Sequence, residues 1–279
     1  MKIIKKIPGS FSSELFLVEI KKKRYVLKRD DDTSDIISEK EFFKVLSKNN
    51  IPTLNYFENP KLKSNEILLE YIQGSVNLGD RFTAKNCKTW GKITRRMHEI
   101  KFNDCFRLNK DGRKIKQKWS MHLNKKIKKA FAKAEANNNY DYSKAELKKI
   151  RKYLSPLKTI EPKRFSLIHG DLHTNNVLIK KDKLILFDKN PEIFSGDPLL
   201  DLAIALIDMP NDTLIKTDDS EHTNDKKCLN SFIAGYRTDF LNNPSLNVYI
   251  MLIAFGRLYT PFSENYKDII LNLLEKDNQ

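Results

Sequence analysis

The chain opens in short apolar runs broken by turn residues: Ile3-Ile4, the punctuation Pro8-Gly9-Ser10, then Leu15-Phe-Leu-Val-Glu-Ile20 and, after four basic residues, Tyr25-Val-Leu-Lys28. Two β-rich runs joined by a short polar link predict a hairpin. The acidic stretch from Asp30 to Asp35 offers N-cap chemistry to a helix carrying Ile36, Ile37, Phe42, Phe43, Val45 and Leu46, which stops at Asn49-Asn-Ile-Pro52. A second strand pair follows, around Leu54-Asn-Tyr-Phe57 and Glu66-Ile-Leu-Leu-Glu-Tyr-Ile72, closed by Gln73-Gly74. Beyond Gly74 the apolar spacing turns helical: from Trp90 to Ile100, through the basic run Arg113 to Lys129, from Ser143 to Leu154, and after Pro198. One later region breaks that pattern, residues 165–179 with Lys183 to Asp188. Strands first and helices afterwards predict an α+β protein, with a small sheet lobe over residues 1–74 and a larger, mostly helical lobe over 75–279.

Composition narrows the picture. A hydrophobic share of 40% with 10% aromatics in 279 residues supplies a packed core and excludes wholesale disorder. The first residues carry basic charge but no apolar stretch of signal-peptide length, and no later run approaches the ~20 apolar residues of a membrane span, so a cytoplasmic address is expected. Cys87, Cys105 and Cys228 are odd in number and far apart, which argues for buried or incidental thiols rather than a disulfide framework or a thiolate zinc site. The net charge of +15 and pI near 9.5 bring a nucleic-acid partner into view. Lys, Asn and Ile are spread along the whole chain, however, and the densest basic run interleaves Trp119, Met121, Leu123, Ile127 and Phe131. That run reads as a helix with one buried stripe and one solvated basic face.

Candidate chemistry concentrates in Leu167-Ile-His-Gly-Asp-Leu-His-Thr-Asn-Asn-Val-Leu-Ile179 and Leu184-Ile-Leu-Phe-Asp188. A short strand delivers a polar loop, another leaves it, and a third ends at a carboxylate, which brings Asp171, Asn176 and Asp188 together at strand ends beside a cleft. Their oxygens are hard ligands suited to magnesium, which takes substrate phosphate oxygens to complete its shell. The spacing matches the kinase pattern H-x-D-x-x-x-x-N followed by an Asp on the next hairpin. The segment resembles the aminoglycoside phosphotransferase and choline kinase-like family: His169-Gly-Asp-Leu-His173 with Asn176 is similar to its catalytic loop, and Gly196-Asp-Pro-Leu-Leu-Asp-Leu-Ala203 to the run that follows it. The resemblance implies a two-lobed protein-kinase-like fold and an ATP- and magnesium-dependent transfer to a hydroxyl of a small molecule. Asp171 would be the catalytic base, and Asn176 and Asp188 would hold magnesium across the phosphates. His169 and His98 would be packed organisers, and Asp197 and Asp201 would cap a helix and brace the loop.

The same resemblance assigns the first lobe. Lys28 would anchor phosphates and Glu39 would orient it, with Glu41 as the competing partner; backbone at Glu70 and Ile72 would meet the adenine edge, and Ser10 would lie in the loop over the phosphates. The chain departs from the family at Lys189-Asn190, which would change the metal site or put a cation beside the phosphates, and at Thr174, where a proline is common. For the acceptor, the sequence gives conflicting signals. Asp208, Asp212, Asp218, Asp219 and Glu221 would line an acidic cleft for an aminoglycoside, whereas Arg113 to Lys129 would suit an anion such as a sugar phosphate or lipid headgroup. Trp119, Tyr236, Tyr249, Phe255 and Tyr259 keep a choline-like acceptor open through cation–π contact. Two other readings stand beside the small-molecule kinase: a nucleotide-binding pseudokinase of the same fold, and a nucleic-acid-binding module.

Overall fold

In the computed structural model the β-rich opening folds as a five-stranded antiparallel sheet, formed by β1 (Lys2–Ile7), β2 (Ser13–Ile20), β3 (Lys23–Asp30), β4 (Tyr56–Phe57) and β5 (Glu66–Glu70) in the order β1-β2-β3-β5-β4. The structure describes residues 1–8, 13–136, 142–209, 223–258 and 264–276. The hairpin of β2 and β3 turns on Lys21 and Lys22, both left-handed with φ of 49° and 64°, the backbone that a two-residue turn between twisted strands demands. Helix α1 (Thr33–Lys48) lies between β3 and β4; the Asp32 carboxylate accepts from the Ser34 amide at 2.8 Å and caps it, and Ile36, Phe42, Phe43 and Leu46 are buried.

After β6 (Val76–Asn77) the chain becomes mainly helical: α2 (Ala84–His98), three short strands β7 (Lys101–Phe102), β8 (Phe106–Leu108) and β9 (Lys114–Lys116), then α3 (Trp119–Ala136) and α4 (Lys144–Tyr153). β10 (Phe165–Leu167), β11 (Val177–Lys180), β12 (Lys183–Leu186) and β13 (Ser195–Gly196) frame the polar loops. Helices α5 (Pro198–Asp208), α6 (Thr223–Tyr236), α7 (Pro244–Arg257) and α8 (Glu264–Lys276) complete the larger lobe. This is a two-lobed, kinase-like α+β architecture.

The sheet content of the larger lobe exceeds what the sequence suggested. Residues 114–116, expected within a helix, form β9 at the edge of a second sheet ordered β7-β10-β13-β8-β9. The Lys-Ile-Lys alternation there has the period of a strand, and exposed lysines suit an edge. A third sheet, β12-β11-β6, carries the hairpin between Asn176 and Asp188. Trp90, Trp119, Tyr249 and Phe255 are fully buried, and Tyr236 is nearly so, hence none of them forms an aromatic cage; Tyr259 lies outside the described residues. Cys87, Cys105 and Cys228 are all buried, and burial pushes the Cys105 thiol up to about 12. No described helix is long and apolar enough to cross a membrane.

Candidate active site

Three short strands deliver the polar residues. β10 leads into the loop that holds Asp171, β11 begins immediately after Asn176, and β12 ends just before Asp188. At Gly170 the backbone is left-handed, with φ of 75°, and an added Cβ would lie 2.9 Å from side-chain carbons of both Asn190 and Ile193. Only glycine fits there, which explains the residue before Asp171. The loop is pinned from beneath by Asp201 of α5, whose carboxylate accepts the amides of His169 and Gly170, each at 2.7 Å. Asp201 also meets His98 Nε2 at 3.1 Å, and the other His98 ring nitrogen meets the Tyr236 hydroxyl at 2.9 Å. Asp197 caps α5 and accepts from the Tyr249 hydroxyl at 2.9 Å. His169 is fully buried against the carbonyl of Phe187, and burial lowers its basicity despite nearby Asp201 and Asp171. These groups organise the loop and lie apart from open space.

Lys28 of β3 reaches both lobes. Its ammonium lies 2.8 Å from Glu39 on α1 and 2.6 Å from Asp188. Burial disfavours that charge, but the two carboxylates outweigh it and raise the Lys28 pKa. Glu39 is pushed up by its own burial and held down by Lys28. The competing Glu41 pairs with Lys44 instead, on the exposed face of α1. Asp188 has φ of 56°, an uncommon conformation for a residue with a side chain, and Asn176 Nδ2 donates to its carbonyl at 3.3 Å.

Asp171 faces the same cleft. Arg257 Nη2, at the end of α7, approaches one carboxylate oxygen at 3.2 Å, and His173 Nε2 approaches the other at 3.3 Å. Burial raises the Asp171 carboxyl, yet His173 and Arg257 together hold it well below the usual carboxylate range. The amide nitrogen of Asn176 donates to the Asp171 carbonyl at 2.9 Å, so its amide oxygen is the atom that can meet a cation. Asp188 and Asn176 thus offer two hard oxygens, and among the described residues no group of three or more His, Cys, Asp or Glu side chains could hold a metal ion. That donor set fits magnesium, which keeps waters and phosphate oxygens in its shell, and does not fit a closed protein cage.

The cleft has a volume of about 460 Å3, within the range of small-molecule sites, and Lys28, Glu39, Asp171 and Asp188 all line it. Glu70 and Ile72 do not border it: the Glu70 amide is spent on the Asn55 carbonyl at 2.8 Å, and the Ile72 carbonyl accepts from Ser75. Ser10 lies outside the described residues. Lys189 borders the cleft but is buried, with its ammonium donating to Ser38 Oγ at 3.1 Å and to the carbonyls of Asn190 and Ile193. Burial pulls it down to about 7. Asp208 does not line this cleft, and its carboxylate accepts the Thr174 amide; Asp212, Asp218, Asp219 and Glu221 lie outside the described residues. Sequence reasoning missed Arg257 and His173 as partners of Asp171. His173 was visible within the motif, whereas Arg257 stands 86 residues away with no local signal.

Fold and site define a kinase-like protein in which a buried lysine, paired with two carboxylates, faces a loop of carboxylate and amide groups. The phosphotransferase enzyme family model matches residues 3–239, so the chain belongs to that family, whose members are small-molecule kinases in kind. Among solved structures, the amicoumacin kinase hAmiN, in complex with AMP-PNP, Ca2+ and Ami, is 15% identical with a TM-score of 0.64, covering 96% of this chain and 86% of that one. The spectinomycin phosphotransferase APH(9)-Ia, in complex with ADP and spectinomycin, is 14% identical with a TM-score of 0.65 and coverages of 99% and 93%. A choline/ethanolamine kinase family protein from Mesorhizobium loti is 11% identical with a TM-score of 0.56 and coverages of 98% and 86%. No curated protein matches the chain by sequence.

Proposed function

We propose that the protein transfers the γ-phosphoryl group of ATP to a hydroxyl of a small acceptor, in the cytoplasm, with a nucleotide-binding lobe over residues 1–74 and a catalytic and acceptor lobe over 75–279. The observation that carries this reading is the convergence of Lys28, Glu39 and Asp188 with Asp171 in one cleft. The nucleotide-bound states of the amicoumacin and spectinomycin enzymes support ATP as the donor.

Magnesium, when bound, neutralises charge on the phosphates; Asn176 and Asp188 would hold it. Lys28, kept protonated by its two carboxylates, positions the phosphates, while Glu39 fixes the direction of its side chain. Asp171 accepts the acceptor's hydroxyl proton; because Arg257 and His173 keep it ionised, it stands ready to do so throughout the neutral range. As part of the same proposal, the backbone of Glu70 and Ile72, which lies beyond this cleft, would meet the adenine edge, and Ser10 would lie in the loop over the phosphates.

Replacing Asp171 with Asn should lower acceptor-stimulated ADP release by about 10²- to 10⁴-fold while nucleotide binding persists. Undiminished turnover in that variant would rule Asp171 out as the base. Nucleotide binding by the unmodified chain with no transfer to any amino sugar, amino alcohol, sugar or nucleoside would favour the pseudokinase instead.

A further inference from the structure

The cleft is charged differently at its two ends. Around Lys28 stand Glu39, Asp188, Asp30 and Asp35, an acidic surplus that suits a divalent cation. The other end is walled by Lys126, Lys129 and Lys133 of α3 and by Arg257 of α7. Among the described lining residues, only Asp171 and Glu192 oppose these four cations, and Arg257 already lies against Asp171.

The lysines follow from the helical period. Positions 126, 129 and 133 are spaced three and four apart and share one flank of α3, beside the stripe of Leu123, Ile127, Ala130 and Phe131 that is buried. Like charges at those spacings repel, so the arrangement is unfavourable without a counter-charge. None of the three forms an ion pair or hydrogen bond with another described residue. Lys126 is half-buried, and burial lowers its pKa, with Glu192 and Asp171 acting against that and Lys129 and Arg257 reinforcing it. Cations that outnumber the carboxylates around them in a concave site attract an anion. Behind them, Ile204, Leu252 and Ile253 give the cleft an aliphatic floor.

Resting on the kinase reading of the cleft, we propose that the acceptor is a hydroxylated small molecule bearing a phosphate or carboxylate group, seated on Lys126, Lys129 and Lys133 so that its hydroxyl reaches Asp171. An amino sugar or a quaternary amine would meet repulsion in the same place, a basis for discrimination as much as the attraction is.

The test is calorimetric binding to the chain loaded with magnesium AMP-PNP, using four probes with one carbon skeleton: glycerol 3-phosphate, glycerate, glycerol and 3-amino-1,2-propanediol. The two anions are expected to bind at least about tenfold more tightly than the neutral and cationic probes, as charge-assisted hydrogen bonds require. The preferred anion identifies phosphate or carboxylate as the group recognised. The combined Lys126→Gln, Lys129→Gln and Lys133→Gln variant should lose that preference with AMP-PNP binding unchanged, and the corresponding Arg variant should keep it; glutamine preserves helix propensity, so α3 stays folded. Anions that bind no better than glycerol or the amine, a preference that survives the glutamine variant, or a variant that loses AMP-PNP instead would each overturn the inference. ADP release is measured in parallel: anion binding without transfer to any acceptor sinks the kinase reading alone, and turnover of a cationic acceptor without anion preference sinks this inference alone.

Discussion

Asp35, in the first turn of α1, shows how one carboxylate is set against its surroundings. Burial, then the carboxylates of Asp30 and Asp32, push it up to about 6, against about 3.9 in an unfolded chain. Between those two values the native state holds more protons, so the stability this group contributes is complete below pH ~3.9 and lost as pH rises through about 6. Asp35→Asn is therefore expected to stabilise the protein by about 1 kcal/mol at pH 7, a figure discounted because the side chain is half-exposed, and to change little at pH 4. Urea denaturation at both pH values checks it; an equal effect at the two would deny the shift. The same local logic made much of the site readable. Asn176 and Asp188 sit beside strand ends, Lys28 lies near the end of β3 and Asp171 in the loop after β10, where a short apolar run close to a polar residue marks the position. Glu39 and Glu41 could not be separated that way, because both belong to one helix and only its rotation against β3 decides which faces inward.

At the scale of elements, α2 and α6 approach closely enough that two glycines carry the contact. A Cβ at Gly91 would lie 2.1 Å from the carbonyl oxygen of Phe232, and one at Gly235 would lie 2.1 Å from that of Lys88. Both obstacles are backbone, so no side-chain rotation relieves them. Gly91→Ala should therefore destabilise by about 1–3 kcal/mol, although alanine is the better helix former, and thermal melting should fall by roughly 2–4 °C for each of those kcal/mol. An unchanged melting temperature would show that the helices separate freely. This crossing matters to the site, because α6 presents Tyr236 to His98 and α2 presents His98 to Asp201 beneath the loop of Asp171. Helix α1 and its cap, the first hairpin and α4 were legible from periodicity and capping residues. The short strands β7, β8, β9 and β13 of the second sheet were not, since so few positions carry no period of their own and pairing with β10 and with one another creates them.

Across the whole molecule, several polar links join the lobes, among them Lys28 with Asp188, Lys189 with Ser38, and Arg96, which donates to the carbonyls of Asn49 and Asn50. Lys28→Met would sever the first and leave Glu39 buried without its cation. The expected loss is about 3–5 kcal/mol in chemical denaturation, and the double variant with Glu39→Leu should lose less than Lys28→Met alone. A double variant as unstable as the single would mean that Glu39 is stabilised by something other than Lys28. The sequence by itself determined the α+β order, the kinase-like loop and the residue types able to handle phosphate and magnesium, because strand, cap and loop signals act over a few neighbouring positions. Tertiary structure alone decided that Arg257 guards Asp171, that Lys189 turns inward to Ser38 and that three lysines of α3 look into the cleft. Each of those outcomes depends on how elements far apart in the chain rotate and pack against one another, and no local pattern encodes that rotation.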